Sequence, residues 1–307
     1  MRGHGPDISD ETGGASPDVE YQPPDEVFGM LASDVRMSIL LALGNPPGRT
    51  MTFSELYEAT EVDDSGNFSY HLNELVGTFV RKETDGYQLM HAGEQVFGAV
   101  HAGTHRAKAT VPATRFGGTC QLCGSSLLFE YRDEFVRVFC SECEAGRTFP
   151  FPPGIVPEYA IEDLPGVSAR WFRTQIQRTV DGFCSVCAGP IEGELTGGVR
   201  PDQTPPQPSM AAFECRKCGK TVRVSVATIV TFHPVVEGFL FEHGFDTRTA
   251  PHSEVWDALD RTAEMVCSRK PLAIEVMFGH ESERITAVVD STASVASVER
   301  RRNDDRS

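Results

Sequence analysis

Residues 118–143 read GTCQLCGSSLLFEYRDEFVRVFCSEC, and this stretch decides the fold of most of the chain. Sixteen residues separate the pair Cys120/Cys123 from the pair Cys140/Cys143, a spacing that suits a four-thiolate metal site. Between the pairs, Leu127–Tyr131 and Phe135–Phe139 are apolar and aromatic runs split by Arg132-Asp133-Glu134, so a hairpin is expected. The layout is that of a zinc ribbon, in which two cysteine turns hold one tetrahedral ion and a small sheet grows from them. Four ligands close the tetrahedron and leave no position for water, which favours a structural over a catalytic role. A sheet this small buries too little to fold alone, and the metal supplies the missing free energy.

The stretch recurs. Gly182-Phe183-Cys184-Ser185-Val186-Cys187 echoes Gly118–Cys123 at an offset of 64 residues. Here the second pair, Cys215 and Cys218, follows after 27 residues. The excess contains Gly197-Gly198 and the proline-rich run Pro201 to Pro208, read as a loop inserted at the hairpin tip. Each copy continues into a helix, Gly166 to Val180 after the first and Pro234 to His243 after the second. The latter is bounded by His233-Pro234 and Gly244. Two zinc ions in separate sites follow from the duplicated order. Interleaved pairs, with Cys120/Cys123 sharing an ion with Cys184/Cys187, and redox-active thiols are the competing readings. Cys267 has no CxxC partner and reads as a small buried hydrophobe.

The chain has 307 residues and a formal net charge of −16, and only five of its basic residues are lysines. An acidic surface that avoids lysine suits a cytosol at molar salt, where screening relieves the repulsion between carboxylates; an ordinary acidic protein is the alternative. No run reaches the roughly 18–20 apolar residues of a membrane helix. The first thirty residues lack the basic start and apolar stretch of a secretory signal. A cytoplasmic protein with reduced thiols, and no membrane partner, is therefore expected.

Residues 25–105 carry a different pattern. Val35, Ile39 and Leu43 recur at helical spacing between Ser33 and Gly44. Thr52-Phe53-Ser54-Glu55 fits a capping box that opens a short helix to about Thr60. Asp63 to Gly66 is a turn, and the helix after it, to Val76, sets Phe68, Leu72 and Leu75 on one face. Asn67, Ser69, Tyr70, His71, Asn73 and Glu74 take the other. Phe79 to Leu89 alternates around Asp85-Gly86, a strong hairpin signal. Helix, short helix, turn, polar-faced helix and hairpin is the order of a winged helix-turn-helix, whose second helix suits the major groove. A plain three-helix domain with a solvated polar face is the bland alternative.

The segments Phe28 to Leu40, Thr52 to Leu56 and Tyr70 to Leu75 resemble the ArsR-type winged-helix transcriptional regulators of archaea. The whole chain resembles the longer ArsR-like regulators of extreme halophiles. The resemblance implies that Ser69, Tyr70, His71 and Asn73 face the groove and that the fold forms a homodimer through its outer helices. The chain departs from the family's metal sensors in having no cysteine in residues 1–119. A second family sensor site uses carboxylate and histidine, for which Glu94, His101 and His105 are the candidates.

Double-stranded DNA is thus the expected partner, contacted by Ser65, Asn67, Ser69, Tyr70, His71 and Asn73, with Arg81 and Lys82 of the hairpin meeting phosphates. Against this stands the charge of residues 25–105, twelve acidic against four basic side chains, net −8. At molar salt phosphate neutralisation contributes little, so a basic patch gains little. The expected class is α+β: a disordered acidic tail (1–24), a winged helix (25–105), a linker (106–115), two zinc ribbons each with a helix (116–181 and 182–245), a C-terminal helix with strands (246–298), in which Trp256 and Leu259 suit a buried helix face, and a charged tail (299–307). The function read from it is a sequence-specific transcriptional regulator. The alternative is a basal or polymerase-associated factor that uses the same parts to dock on the transcription machinery. No nucleophile–base pair, phosphate loop or carboxylate pair points to an enzyme.

Overall fold

The computed structural model describes residues 20–45, 48–103, 106–120, 122–143, 145–197, 208–260, 262–281 and 283–302. The chain divides into two units, residues 1–101 and 102–307, and combines helices with small antiparallel sheets.

Unit 1 runs α1 (Pro24–Met30), α2 (Asp34–Gly44), α3 (Phe53–Ala59), α4 (Ser65–Leu75), β1 (Val80–Glu83), β2 (Gly86–Leu89) and α5 (His91–His101). Side chains fix where three of these helices begin. Ser33 accepts the Arg36 amide ahead of α2. Thr52 and Glu55 exchange both bonds of a capping box ahead of α3, at 3.3 and 2.8 Å. The Asp64 carboxylate takes the Asn67 amide at 2.8 Å. That last cap starts α4 at Ser65, inside the segment expected to be a turn. The apolar faces meet in one core built on Ile39, Leu40, Leu56, Phe68, Leu72 and Leu75. Strands β1 and β2 pair antiparallel, with Glu83 opposite Gly86. Gly86 lies at φ 149°, where a Cβ would strike the Met51 carbonyl. The glycine lets Met51 and Tyr87 exchange both backbone hydrogen bonds, at 3.0 and 2.8 Å. The helix α1 begins at Pro24, one residue inside the expected tail.

Unit 2 holds β3 (Val111–Thr119), β4 (Ser126–Arg132), β5 (Phe135–Cys140), β6 (Gly146–Pro150), α6 (Leu164–Val180), β7 (Ile191–Gly197), β8 (Met210–Cys215), β9 (Thr221–Ser225), α7 (Val226–Val230), α8 (Pro234–Glu242), α9 (His252–Asp260), β10 (Ala263–Arg269), β11 (Leu272–His280), β12 (Glu283–Val289) and β13 (Val295–Arg302). Three antiparallel sheets result, with orders β3-β4-β5-β6, β7-β8-β9 and β10-β11-β12-β13. The first sheet and α6 share a core of Phe129, Tyr131, Val138, Phe149, Phe151 and Leu164. A second core runs without a break from Leu195 and Phe213, through Ile229 and Phe239, to Ile274, Val276, Ile285 and Val289.

Four expectations are corrected here. The linker 106–115 runs into β3, because Val111 pairs with Tyr131 and Thr114 with Phe129. The segments 182–245 and 246–298 are not separate modules, since one core joins them. Of the expected tail 299–307, residues 303–307 lie outside the described residues, and residues 299–302 are instead the end of β13. There Arg300 and Arg302 both reach Glu283, at 2.6 and 2.9 Å, and hold its carboxyl below the usual carboxylate range. Cys267 is exposed, because it falls on the open face of β10 with Ala263, Met265 and Arg269. Leu259 packs against the second core; the Trp256 side chain lies outside the described residues.

Among the described residues no single helix is long and apolar enough to cross a membrane. The bent pair α1–α2, at 77°, comes nearest, but α2 commits Ile39, Leu40 and Leu43 to the core of unit 1.

Candidate metal centres and nucleic-acid interface

Every CxxC pair sits on a turn of one design. The amide of the first cysteine donates to the carbonyl five residues on: Cys120 to Ser125, Cys140 to Ala145, Cys184 to Gly189 and Cys215 to Lys220, at 2.8–2.9 Å. In the three turns where it is described, the amide after the second cysteine returns to the first cysteine's carbonyl, from Gly124, Ala188 and Gly219. That residue has φ of 74° at Gly124, 53° at Ala188 and 70° at Gly219. Glycine adopts this left-handed conformation without cost, and alanine does not. Backbone amides also point at sulfur, as from Cys143 to Cys140 at 3.5 Å and from Val186 to Cys184 at 3.4 Å. The first cysteine of each pair is buried, while the second is exposed or, in Cys187, half-buried.

These turns gather the sulfurs into two groups. Cys120, Cys123, Cys140 and Cys143 form one, and Cys184, Cys187, Cys215 and Cys218 the other, each with all its sulfurs within 4.8 Å of one another. Measured gaps include Cys123–Cys140 at 3.3 Å, Cys120–Cys143 at 3.6 Å, Cys187–Cys215 at 3.5 Å and Cys184–Cys218 at 3.7 Å. Four sulfurs about 2.3 Å from one ion stand about 3.8 Å apart at the corners of a tetrahedron. A disulfide would need about 2.05 Å. The residues present therefore fit a four-thiolate metal, and each group uses one copy of the duplication, so the interleaved pairing is excluded. The electrostatics agree. Hydrogen bonds from the Ser125 side chain and amide hold Cys123 down at about 6. Burial opposes ionisation of Cys184, yet the amides of Cys187 and Val186 bring it to about 6. Cys143 has a favourable backbone bond at Ala145, but hydrogen bonds to its neighbouring thiols and burial push it up to about 12. Thiols this crowded cannot all ionise without a cation between them.

In unit 1 the expected DNA contacts fall on α4 and the hairpin. Asn67, Tyr70 and Asn73 are exposed, Tyr70 by 57%, opposite the buried Phe68, Leu72 and Leu75. Ser65 is exposed in the first turn, whereas Ser69 and His71 are half-buried. His71 Nδ1 lies 3.5 Å from the Arg36 guanidinium, which donates to the carbonyls of Met30 and Gly29. Arg81 is exposed and held by Glu83 at 3.0 Å and Gln88 at 2.6 Å. Lys82 lies over the Tyr87 ring. Of the sensor candidates, Glu94 faces His91 at 3.8 Å and His101 lies tilted against the Phe97 ring; His105 lies outside the described residues.

Residues missed by the sequence reading include Arg173 on α6. Its guanidinium donates to Glu237 at 2.7 Å, to the Thr247 carbonyl at 3.0 Å and to the Thr247 hydroxyl at 3.2 Å. It also lies 4.6 Å over the Phe232 ring. No local pattern signals a pair 64 residues apart.

The family model described as Domain of unknown function (DUF7351) matches residues 117–295. This is more than half of the chain, and the chain belongs to that family. A second model, described as Domain of unknown function (DUF7347), matches residues 24–100. The two matches fall on either side of the division between the units. No curated protein matches the chain.

Proposed function

We propose that unit 1 is a winged helix-turn-helix that reads double-stranded DNA, and that the protein is a sequence-specific transcriptional regulator carrying two structural zinc ions in unit 2. The observation that carries this reading is the face of α4. It is the second helix of a capped pair, spends Phe68, Leu72 and Leu75 on the core, and leaves Asn67, Tyr70 and Asn73 free for base edges. A hairpin with exposed Arg81 and Lys82 follows directly, in the place of a wing. The resemblance to ArsR-type regulators agrees with this order of elements. His71, half-buried against Arg36, is assigned to positioning α4 rather than to reading bases. Phe28, 70% exposed on α1, and the half-buried Val96 and Phe97 on α5 supply an apolar surface for a homodimer. Zinc is the ion that four thiolates in a closed tetrahedron favour, and its role there is to hold the fold. The acidic, lysine-poor composition suits the cytoplasm of an extreme halophile.

The test is selection of bound sequences from a random duplex pool by the full chain. Enrichment of a near-palindromic site is expected. Tyr70→Ala and Asn73→Ala should each weaken that site by about 1–3 kcal/mol while leaving random duplex nearly unaffected. No enrichment, or equal loss on both DNAs, would overturn base reading by α4. Binding that required added RNA polymerase would favour the docking-factor alternative.

A further inference from the structure

A cavity of about 350 Å³ opens within unit 2 where both cysteine-bearing sheets, α6, α9 and the C-terminal sheet converge. Its wall is unusual for this chain. Arg147 on β6, Arg170 and Arg173 on α6, Arg223 on β9 and Arg248 all line it, and among the described residues no Asp or Glu does. Among the described residues five arginines thus meet at one cavity, in a protein whose formal net charge is −16. Two of the five are neutralised nearby: Arg173 by Glu237 at 2.7 Å, and Arg248 by Asp246 at 3.4 Å. Arg170 and Arg223 are exposed at the rim and make no ion pair or hydrogen bond among the described residues. The rest of the wall is apolar, with five phenylalanines, Phe172 and Phe232 among them. Deeper in, the buried His252 approaches the Ser168 hydroxyl at 3.3 Å and lies tilted against the Phe149 ring, 4.8 Å between centroids. Burial, with Arg147 nearby, holds it neutral, its pKa lowered to about 3.

This combination selects among ligands. A bare inorganic anion would satisfy the arginines and leave the aromatic wall wet. A neutral apolar molecule would cover the wall and desolvate guanidinium groups without a partner, which costs free energy. A carboxylate attached to an apolar body satisfies both, because guanidinium and carboxylate pair through two parallel hydrogen bonds. At the roughly 30 Å³ that a water occupies in the liquid, the volume admits about a dozen non-hydrogen atoms. We propose that this cavity binds a small amphipathic organic carboxylate, its head held by Arg170 and Arg223 and its body laid against the phenylalanines. Cavities of this size with a few convergent polar groups are where small ligands bind. The site lies wholly in unit 2, and the proposal stands whether or not unit 1 reads DNA.

Calorimetric titration of the full, metal-loaded chain with 2-naphthoate and with decanoate tests it. Saturable binding at one site per chain is expected for at least one of the two. The neutral analogue, 2-acetylnaphthalene or decanol, should bind at least ten-fold more weakly, and inorganic phosphate weaker still. The double variant Arg170→Gln with Arg223→Gln should lose at least ten-fold in affinity with an unchanged thermal midpoint, since both side chains are exposed and neither makes an ion pair or hydrogen bond among the described residues. Failure of both carboxylates to bind at millimolar concentration would overturn the proposal. So would a neutral analogue or inorganic phosphate that bound as tightly, or an affinity that the double variant left unchanged.

Discussion

Replacing Arg173 with methionine keeps the aliphatic stem over Phe232 and removes the guanidinium that ties α6 to α8 and to Thr247. A hydrogen bond to a charged group contributes about 1.5–3 kcal/mol. Arg173 and Glu237 are 17% and 28% exposed, which places their bond at the lower end of that range. The two bonds to Thr247, a residue only 7% exposed, add about 1 kcal/mol together, and its buried carbonyl loses a donor. Arg173→Met should therefore destabilise unit 2 by about 3 kcal/mol. Glu237→Gln should cost about 2 kcal/mol and the double variant about 3.5 kcal/mol, a coupling of about 1.5 kcal/mol. Urea unfolding followed by tryptophan fluorescence reads the right part of the molecule, because both tryptophans, Trp171 and Trp256, lie in residues 102–307. The coupling should survive in about 2 M KCl, since partly buried pairs are screened less than surface ones. A coupling below about 0.5 kcal/mol, indistinguishable from additivity, would refute the reasoning.

Elemental analysis should find two zinc ions per chain; Cys140→Ser should lower the count to one and speed amide exchange in β3–β6 while leaving residues 20–101 unchanged. Ala188→Gly should raise the thermal midpoint of the metal-loaded protein, by about 0.5–1 kcal/mol of stability, because it relieves φ of 53° at a position where two sister turns already have glycine; Gly124→Ala should do the reverse. Specific DNA affinity should stay flat or tighten as KCl rises from roughly 0.2 to 2 M, where a reader with about six phosphate contacts would lose roughly five decades. A fall of several decades in a filter-binding titration would count against the saline-cytosol argument.

Local chemistry was legible in the sequence, and pairing at a distance was not. The Thr52–Glu55 box, the hairpin and the duplicated cysteine turns are each written within a few residues and each forms, although the hairpin turns one residue early, at Thr84-Asp85, with Gly86 already paired to Glu83. The strand β3 escaped because Pro112, Gly117 and Gly118 break its alternation and its register to β4 slips twice. The arginines of β13 read as a tail because the carboxylate that orders two of them, Glu283, lies on the neighbouring strand. Cys267 was misread because it shares the exposed face of the edge strand β10 with Met265 and Arg269, and the packing of the sheet, not the chemistry of one thiol, sets that face. The rim of arginines around the unit 2 cavity draws on β6, α6, β9 and the segment after α8, and no window of sequence contains it.

The β7–β8 pairing has a consequence for how the chain could be divided. Six residue pairs, from Ile191 with Cys215 to Gly197 with Met210, hold these strands together whatever connects residue 197 to residue 208. Opening the chain there would yield two pieces, one bearing Cys184 and Cys187 and the other Cys215 and Cys218. Neither piece owns the complete second metal site, whereas the first, Cys120 to Cys143, stays whole on the N-terminal piece. Reassembly would therefore be gated by the ion: the halves should find each other in its presence, part when a chelator removes it, and so act as a metal-triggered complementation pair.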